Sequence, residues 1–471
     1  MRFLISIFVC VLIVSACQGR TITVDDDGPA DFNNIQAAIN DANNGDTVEV
    51  QPGIYTGTGN RDIDFLGKAI TVRSTDPNDP CVVTVTIIDC NGSGAEYHRG
   101  FNLDNGEGPN SVVNGLTIMN GYFDYGGGIL CNYSSPTIMN CIIKANEASS
   151  GGGGILVVTA GSNPKIINNL LIGNKASDGA AIYTGSSSPE IINCTIKTNE
   201  ASSYGGGIFC SISTPKIINS LLTGNKADNG GAIYATSSGC VPEIINCTVS
   251  GNKAVVGSGV RSFSGAECNV NNCIFENNTG DYLVFRHGGL KKSYIFVDFS
   301  IVQSSWSGTG NIVADPCFAA PGYWGDVNDT NTPVEPNDPN AVWVEGDYHL
   351  QSAAGRWDPN AKVWVHDANT SIAIDAGDPN SDWTAELWPH GKRINMGAYG
   401  GTPQASMSSS GIGNIANLNN DIGDNVNLFD LALLVDKWLY EEVLLSADLD
   451  RDGFVDFDDF DIFAENWLAG I

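Results

Sequence analysis

The chain has 471 residues, of which 53 are acidic and 23 basic, so its formal net charge is −30. This balance excludes a nucleic-acid-binding protein, which needs a basic surface to displace phosphate counterions. A hydrophobic content of 42% excludes a wholly disordered chain, and 55 glycines without a Gly-X-Y period exclude collagen, which leaves an acidic, turn-rich, β-rich protein.

The N-terminus predicts export. Arg2 is followed by an apolar run from Phe3 to Val14 and then by Val-Ser-Ala-Cys, which ends at Cys17. The run is shorter than the ~20 residues of a membrane-spanning helix. Its basic start, apolar centre and small-residue cleavage site predict a secretory signal over residues 1–16. The tetrapeptide also resembles a bacterial lipobox, so Cys17 is either lipidated or an ordinary residue, and no later stretch predicts a transmembrane span.

The middle of the chain is a repeat of about 26 residues. Its first marker is an asparagine that recurs every 25 to 28 residues, at 114, 140, 168, 193, 219, 246 and 272, and a second asparagine follows six residues after each. Short β-branched runs alternate with Gly, Asn and Ser turns, and no helical period is present. Each unit therefore predicts one coil of a parallel β-helix with three short strands, over residues 21–310.

Several columns of the stacked repeat have a predicted structural role. The asparagines should hydrogen-bond from coil to coil at the bends. One charged column reads Thr137, Lys165, Glu190, Lys216 and Glu243, and its alternating signs favour exposed ion pairs over an active site. Most cysteines fall in inward columns as small apolar residues, whereas Cys81 with Cys90 and Cys268 with Cys273 are candidate disulfides of an exported protein.

With this repeat and these columns, the chain resembles the right-handed parallel β-helix, or pectin-lyase-like, superfamily of exported bacterial proteins. Its Gly-Gly-Gly-Ile segments also resemble repeats of outer-membrane proteins and adhesins. An amphipathic helix is predicted near residues 33–43, and the resemblance implies that it caps the open end of the hydrophobic column. Binding or degradation of an extracellular polysaccharide, by a lyase or a glycoside hydrolase, is the function that this resemblance implies.

Candidate catalytic residues lie before the regular coils. A lyase needs acids that hold calcium together with an Arg or Lys base, and a hydrolase needs two carboxylates about 5–10 Å apart. The acidic candidates, together with a neighbouring basic pair, are Asp62, Asp64, Asp89, Asp104 and His98-Arg99. Spacing alone does not show that they converge. The regular coils favour the alternative of a non-catalytic adhesin or surface-structural rod.

Residues 311–405 break the repeat and hold six of the nine tryptophans. We predict that this segment forms a C-terminal cap over the last coils, and the alternative is a set of aromatic platforms for sugar rings. A Ser- and Gly-rich linker is predicted over residues 406–415.

The clearest chemical signal lies in a domain predicted over residues 416–471. Acids at loop positions 1, 3, 5, 9 and 12, with Gly453 at position 6, supply the oxygens that calcium needs on a sharply turning chain. The predicted ligands are Asp448, Asp450, Asp452, Phe454, Asp456 and Asp459. A weaker set upstream is Asn419, Asp421, Asn425, Asn427 and Asp430, and starting this loop at Asn417 instead requires a two-residue insertion.

Two such loop–helix units, each ending in Trp-Leu, resemble a type I dockerin. That resemblance implies an EF-hand-like α-helical domain that binds calcium to fold and docks its protein onto a cohesin-bearing scaffold. The family's contact pairs correspond here to Leu428-Phe429 and Phe457-Asp458, which depart from the usual small hydroxyl residues. The whole sequence therefore predicts an extracellular or cell-surface protein, either secreted or lipid-anchored to the outer membrane.

Overall fold

Each coil is built from short apolar runs that end at residues able to turn the chain. The strands of one coil are Lys165–Ile167, Leu170–Ile172, Lys175–Asp178 and Ile182–Gly185. Asn168 and Gly173 between them have φ of 55° and 63°, a left-handed conformation that Asn and Gly tolerate best. The structure has four strands per coil where three are predicted. The additional strand, Lys175–Asp178, contains no β-branched residue, so its sequence does not indicate a strand.

The computed structural model describes residues 19–286, 291–420, 424–442 and 444–467. The predicted signal at 1–16, Cys17 and Asp421 lie outside these ranges. Within them, the coils form four sheets whose strands pair in parallel. No helix in the described ranges reaches the length and hydropathy needed to cross a membrane.

Sheets 1 and 2 follow each other in every coil. Sheet 1 comprises Thr21–Val24, Thr47–Val50, Thr71–Ser74, Val112–Asn114, Thr137–Met139, Lys165–Ile167, Glu190–Ile192, Lys216–Ile218, Glu243–Ile245, Glu267–Asn271 and Tyr294–Asp298. Sheet 2 comprises Gly53–Thr56, Thr86–Asp89, Thr117–Met119, Ile142–Lys144, Leu170–Ile172, Thr195–Lys197, Leu221–Thr223, Thr248–Ser250 and Ile274–Glu276. They meet at the bend that contains the first asparagine of each repeat.

Sheets 3 and 4 complete the coil. Sheet 3 comprises Tyr122–Tyr125, Glu147–Gly151, Lys175–Asp178, Glu200–Tyr204, Lys226–Asn229 and Lys253–Val256. Sheet 4 comprises Phe101–Leu103, Ile129–Asn132, Ile155–Val158, Ile182–Gly185, Ile208–Ser211, Ile233–Thr236, Val260–Phe263 and Leu283–Arg286. Tracts of small residues such as 205–207 join the two sheets.

The hydrophobic core is a continuous column between the sheets. Ile138, Ile166, Ile191, Ile217 and Ile244 pair in register along sheet 1 and are fully buried. This register follows from the period of the sequence, since equivalent residues of successive coils lie directly above one another. The stacked side chains therefore form one continuous buried core.

Both ends of the column are covered. Helix Ile35–Asp41, inside the predicted 33–43 range, buries Ile35, Ala38 and Ile39, and its N-cap Asn34 accepts the Ala37 N–H at 2.8 Å. At the other end, Trp306 packs against the core column, and its Nε1 donates to the Ile295 carbonyl at 3.4 Å. A second short helix, Pro80–Val85, lies on the side of the first coils.

The start of the Trp-rich segment adds to the end of the column, where Ile312 pairs with Ile301, but most of the segment packs against the flank of the column. It contains three antiparallel groupings: Phe318–Ala320 with Asp347–Leu350, Tyr323–Asp326 with Asp329–Pro333 and Ala341–Val344, and Arg356–Asp358 with Val363–Val365. Phe318, Tyr348 and Leu350 share a core with Ile274 and Ile301 of the β-helix. We call residues 311–405 the flank segment. Long-range contacts, which no repeat reveals, determine this position.

Two other predictions also differ from the structure. The linker predicted over 406–415 begins inside the flank core, where Ser406 is buried and its hydroxyl donates to the Leu350 carbonyl at 2.6 Å. All cysteines in the described residues are free thiols, so neither candidate disulfide forms. Cys268 lies near the start of strand Glu267–Asn271 and Cys273 beyond its end, and a strand rising about 3.3 Å per residue keeps them too far apart for a bond.

The C-terminal module contains helices Leu428–Asp436 and Phe457–Glu465. Both loop–helix units contribute to one small core, formed by Ala416, Leu418, Val426, Leu434, Ala447, Leu449, Val455 and Phe463. The module also contacts the flank segment: Arg451 donates to the Trp388 carbonyl at 3.2 Å and Asn420 to the Thr384 carbonyl at 2.6 Å.

Candidate calcium site and carboxylate cluster

The second loop gathers carboxylate oxygens at one point. Asp448, Asp450 and Asp452 each place one oxygen within 4.8 Å of the others. Two residues with positive φ, Arg451 at 66° and Gly453 at 94°, turn the chain so that these alternate side chains converge. These first three predicted ligands of the loop are therefore neighbours in space, although they lie on a segment without regular structure.

Asp456 and Asp459 fix the helix that leaves the loop. The Asp456 side chain caps helix Phe457–Glu465 and accepts the Asp458 N–H at 2.9 Å. Asp459 is buried and accepts the Asp456 N–H at 2.8 Å, which completes a capping box. Phe454, at the seventh position, could contribute only its main-chain carbonyl, since its side chain is apolar and 47% exposed.

Asp448 is the residue that most clearly fits a cation. Its side chain is fully buried, and its Oδ1 has no hydrogen-bond partner. Burial raises its pKa to about 6, with Asp459 adding to the rise and Arg451 opposing it. A buried, unpaired carboxylate oxygen beside further carboxylates is costly without a cation. The donor set is all oxygen, which suits calcium.

The first loop fits calcium less well. Its core residues Ala416 and Leu418 correspond to Ala447 and Leu449, and this correspondence aligns Asn417 with Asp448. The backbone agrees, because Asn417 N–H donates to Asn414 as Asp448 N–H donates to Leu445. The structure therefore favours the register with a two-residue insertion, in which Asn419 occupies position 3 instead of position 1.

In this register a carboxylate replaces the turn glycine of the first loop. Asp424, with φ of 53°, corresponds to Gly453. Its carboxylate pairs with Lys392 of the flank segment and accepts the Asn417 amide at 3.3 Å. Asn427 and Asp430 form the capping box of helix Leu428–Asp436. A neutral first ligand and a carboxylate already paired with lysine do not match the second loop, so of the two candidate loops the second has the donor set that better suits calcium.

The acids predicted near the first coils are brought together only in part. Asp62 lies 2.6 Å from His98 Nδ1 and accepts the Arg99 N–H at 2.9 Å. Asp64 and Asp104 both contact the amide nitrogen of Asn105, at 3.0 and 3.2 Å. We call Asp62, Asp64, His98, Arg99 and Asp104 the carboxylate cluster. Asp89 instead accepts the amide of Asn120 at 3.0 Å.

Arg99 connects the two halves of the carboxylate cluster electrostatically. Its guanidinium is buried, 3.7 Å above the Phe123 ring, and its Nη1 has no hydrogen-bond partner. Burial lowers its pKa to about 10, while Asp62 and Asp104 oppose that change. Tyr97 stacks on Tyr122 at 5.7 Å beside it. Sequence reasoning missed these aromatic neighbours, because Tyr97 lies outside the repeat and Tyr122 and Phe123 differ from the Glu147 and Ala148 with which they pair in the next coil.

Comparison with known proteins supports the fold. A family model described as a right-handed β-helix region matches residues 42–196. The structure of pectate lyase Pel9A covers 81% of this chain and 96% of its own, with 17% sequence identity and a TM-score of 0.48. No curated protein matches the chain by sequence. The family-model match and the parallel stacking of the coils support the right-handed parallel β-helix that the repeat predicts.

Proposed function

We propose that this is an exported protein whose β-helix binds extracellular polysaccharide and whose C-terminal module binds calcium. The observation that carries the proposal is the buried, unpaired Asp448 oxygen among converging carboxylates. Asp448, Asp450, Asp452, Asp456 and Asp459, with the Phe454 carbonyl, would hold the ion. Calcium would supply the positive charge that offsets their mutual repulsion, and the loop would then fix the start of helix Phe457–Glu465.

Attachment to a protein partner is the proposed role of the loaded module. Leu428, Phe429 and Phe457 follow the two N-caps and are 71%, 76% and 73% exposed. Paired apolar side chains at equivalent helix starts suit an interface, because large exposed aromatic residues are costly unless a partner covers them. The proposed partner is a cohesin-like scaffold protein. Its binding surface would be apolar where the surface that binds a dockerin contacts small hydroxyl residues.

Cleavage of the polysaccharide is a second candidate function. It is favoured by Asp64 and Asp104, which share the Asn105 amide and are therefore close enough to act as a carboxylate pair. The competing interpretation is a stiff adhesin or surface rod, which the unbroken sheets over residues 137–276 support. Release of reducing sugar or of unsaturated product from a glycan panel decides between the two, and loss of that release in Asp104→Asn would locate the site.

Calcium binding is tested by titrating the full chain with Ca²⁺ in a calorimeter. We expect one ion per chain and a loss of at least tenfold in affinity in Asp448→Ala, because a charged ligand at the first loop position is removed. Asp458→Ala is the matched control, since Asp458 is an exposed acid of the same segment that lies outside the predicted ligand set. Unchanged affinity in Asp448→Ala would refute the metal assignment.

A further inference from the structure

A groove runs along the corner between sheets 1 and 2. At one end, a cavity of about 320 Å³ lies between Pro77 and the bends at Asn140 and Asn168. At the other end, a cavity of about 540 Å³ lies between the bends at Asn168 and Asn193, residues 398–404 of the flank segment and Glu442 of the module. Asn168 lines both cavities, so they form one continuous groove across successive coils. It lies where three parts of the molecule meet, a common place for a ligand site.

The floor of the groove presents side-chain amides at a regular spacing. Asn168 and Asn193 are exposed, and successive coils lie about 4.8 Å apart. The Asn168 amide nitrogen donates to Asn140 at 3.3 Å, which leaves its oxygen as an acceptor. The Asn193 side chain makes no hydrogen bond within the described part of the chain. Half-buried Leu170 and Leu221 lie beside these amides on sheet 2.

The wall opposite the floor is held rigidly. Gln404 Oε1 lies 3.2 Å from His349 Nε2, and His349 Nδ1 lies 2.6 Å from Asp347. Tyr399 stacks on the buried His349 ring at 3.6 Å between centroids. Because this chain of contacts positions Gln404 in advance, its amide nitrogen can meet a ligand with little ordering cost.

The charge of the groove restricts its ligand. Glu442 is the one charged residue among those that line the two cavities in the described chain. No base is present to pair with a carboxylate, so a uronate chain is disfavoured. Amides offer both donors and acceptors, which match hydroxyl groups. Leu170 and Leu221, with Thr195 between them, offer apolar surface for the faces of sugar rings. A coil repeat is also close to the length of one hexose in an extended chain.

We infer that this groove binds a neutral, hydroxyl-rich polysaccharide strand that runs along the β-helix axis. The inference rests on the proposed polysaccharide function and names its substrate class and site. The groove is separate from the carboxylate cluster, and the described residues of its lining include one carboxylate, Glu442, and not the pair that hydrolysis needs. It therefore holds the strand without cleaving it.

The test is affinity electrophoresis of the full chain, with calcium, in gels containing a soluble β-glucan, a galactomannan or polygalacturonate. Asn168→Gly/Asn193→Gly removes both amides but keeps the positive φ of each bend, 55° and 53°. We expect retardation by a neutral polymer and a loss of affinity of at least about fivefold in the double variant, as about 0.5–1.5 kcal/mol for each of two lost hydrogen bonds implies. Asn277→Gly is the matched control, since Asn277 is an exposed asparagine with φ of 55° outside the groove.

Gln404→Ala is an independent variant that leaves the β-helix bends intact, and it should weaken the same retardation. Neutral-polymer binding that survives in both variants would overturn the groove assignment while leaving the proposed function in place. Retardation by polygalacturonate alone would also overturn it. Absence of binding to every polymer would overturn the proposed function together with the inference.

Discussion

At the scale of single residues, Glu386 illustrates how burial alters a titratable group. It is 2% exposed in the flank segment, and its Oε1 accepts the N–H groups of Asn395 and Gly401, each at 2.8 Å. Burial raises its pKa to about 8, and Asp375 adds to the rise. An unfolded glutamate titrates near ~4.3, so the folded chain retains a proton that the unfolded chain loses between these two pH values. Its contribution to stability therefore falls as the pH rises from ~4.3 through about 8.

We expect Glu386→Gln to be more stable than the parent at pH 8.5 and close to it at pH 5. The glutamine oxygen can accept the same two N–H groups without carrying a charge. Denaturant unfolding at both pH values, with saturating calcium, gives the two free energies of unfolding. Glu190→Gln, at the surface of sheet 1, should show no comparable difference between the two pH values. An equal effect of Glu386→Gln at pH 5 and pH 8.5 would contradict the raised pKa.

At the residue scale, the sequence predicts which side chains converge where acids recur at a regular spacing. The second loop converges as its alternate acids predict, whereas the start of the first loop depended on the apolar pair Ala416 and Leu418. That pair matches Ala447 and Leu449, so the signal was present in the sequence but outside the ligand pattern. The hydrogen bond from Arg451 to the Trp388 carbonyl, by contrast, depends on a partner 63 residues earlier in the chain.

At the scale of elements, the inner asparagine ladder ties the coils together. Its members are the buried residues Asn146, Asn174, Asn199, Asn225, Asn252 and Asn278. Asn199 donates to the Leu171 carbonyl and to Asn225 Oδ1, each at 3.0 Å, and accepts the Asn174 amide at 3.0 Å. The sequence predicts this ladder, because a buried amide in every coil needs a partner in the next.

We expect Asn199→Ala to lower the free energy of unfolding by about 2–4 kcal/mol, because it leaves buried donors and acceptors of adjacent coils unpaired. Chemical denaturation of the full chain measures the change. Asn340→Ala, at an exposed turn of the flank segment, should change stability by less than about 0.5 kcal/mol. A loss for Asn199→Ala no larger than that of the control would show that water replaces the missing amide.

At the scale of the whole molecule, the β-helix was predictable and the packing around it was not. Each coil pairs with the next about 26 residues later, so the repeat contains its own register. The flank segment instead contacts the coils across long separations, as when Asn219 donates to the Ala398 carbonyl at 3.0 Å. No period relates such residues. The larger of the two groove cavities is closed by residues 398–404 of the flank segment, so sequence alone could not have located it.

Long-range contacts also join the C-terminal module to the flank segment of the β-helix. The ion pair between Lys392 and Asp424 is one of them. Lys392 pairs with Asp424 of the first loop, and neighbouring Asn420 and Arg451 donate to flank carbonyls. We expect Lys392→Ala to release the module, because Asp424 is then left without its cation. Limited proteolysis should cleave the variant several-fold faster between residues 406 and 420, while Lys291→Ala, an exposed lysine far along the chain, should match the parent.

Calcium titration of the same variant separates docking from metal binding. The second loop contributes its ligands from its own residues, so Lys392→Ala should bind one calcium with an affinity within about threefold of the parent, a free-energy change below about 0.7 kcal/mol. Faster cleavage with unchanged calcium affinity would mean that Lys392 of the flank segment neutralises the first loop, whereas a calcium ion neutralises the second loop. Parent-like cleavage would mean that the apolar contacts of the module suffice to hold it. A combined loss of docking and calcium affinity would instead place Lys392 in support of the second loop, through Arg451 and the carbonyl of Trp388.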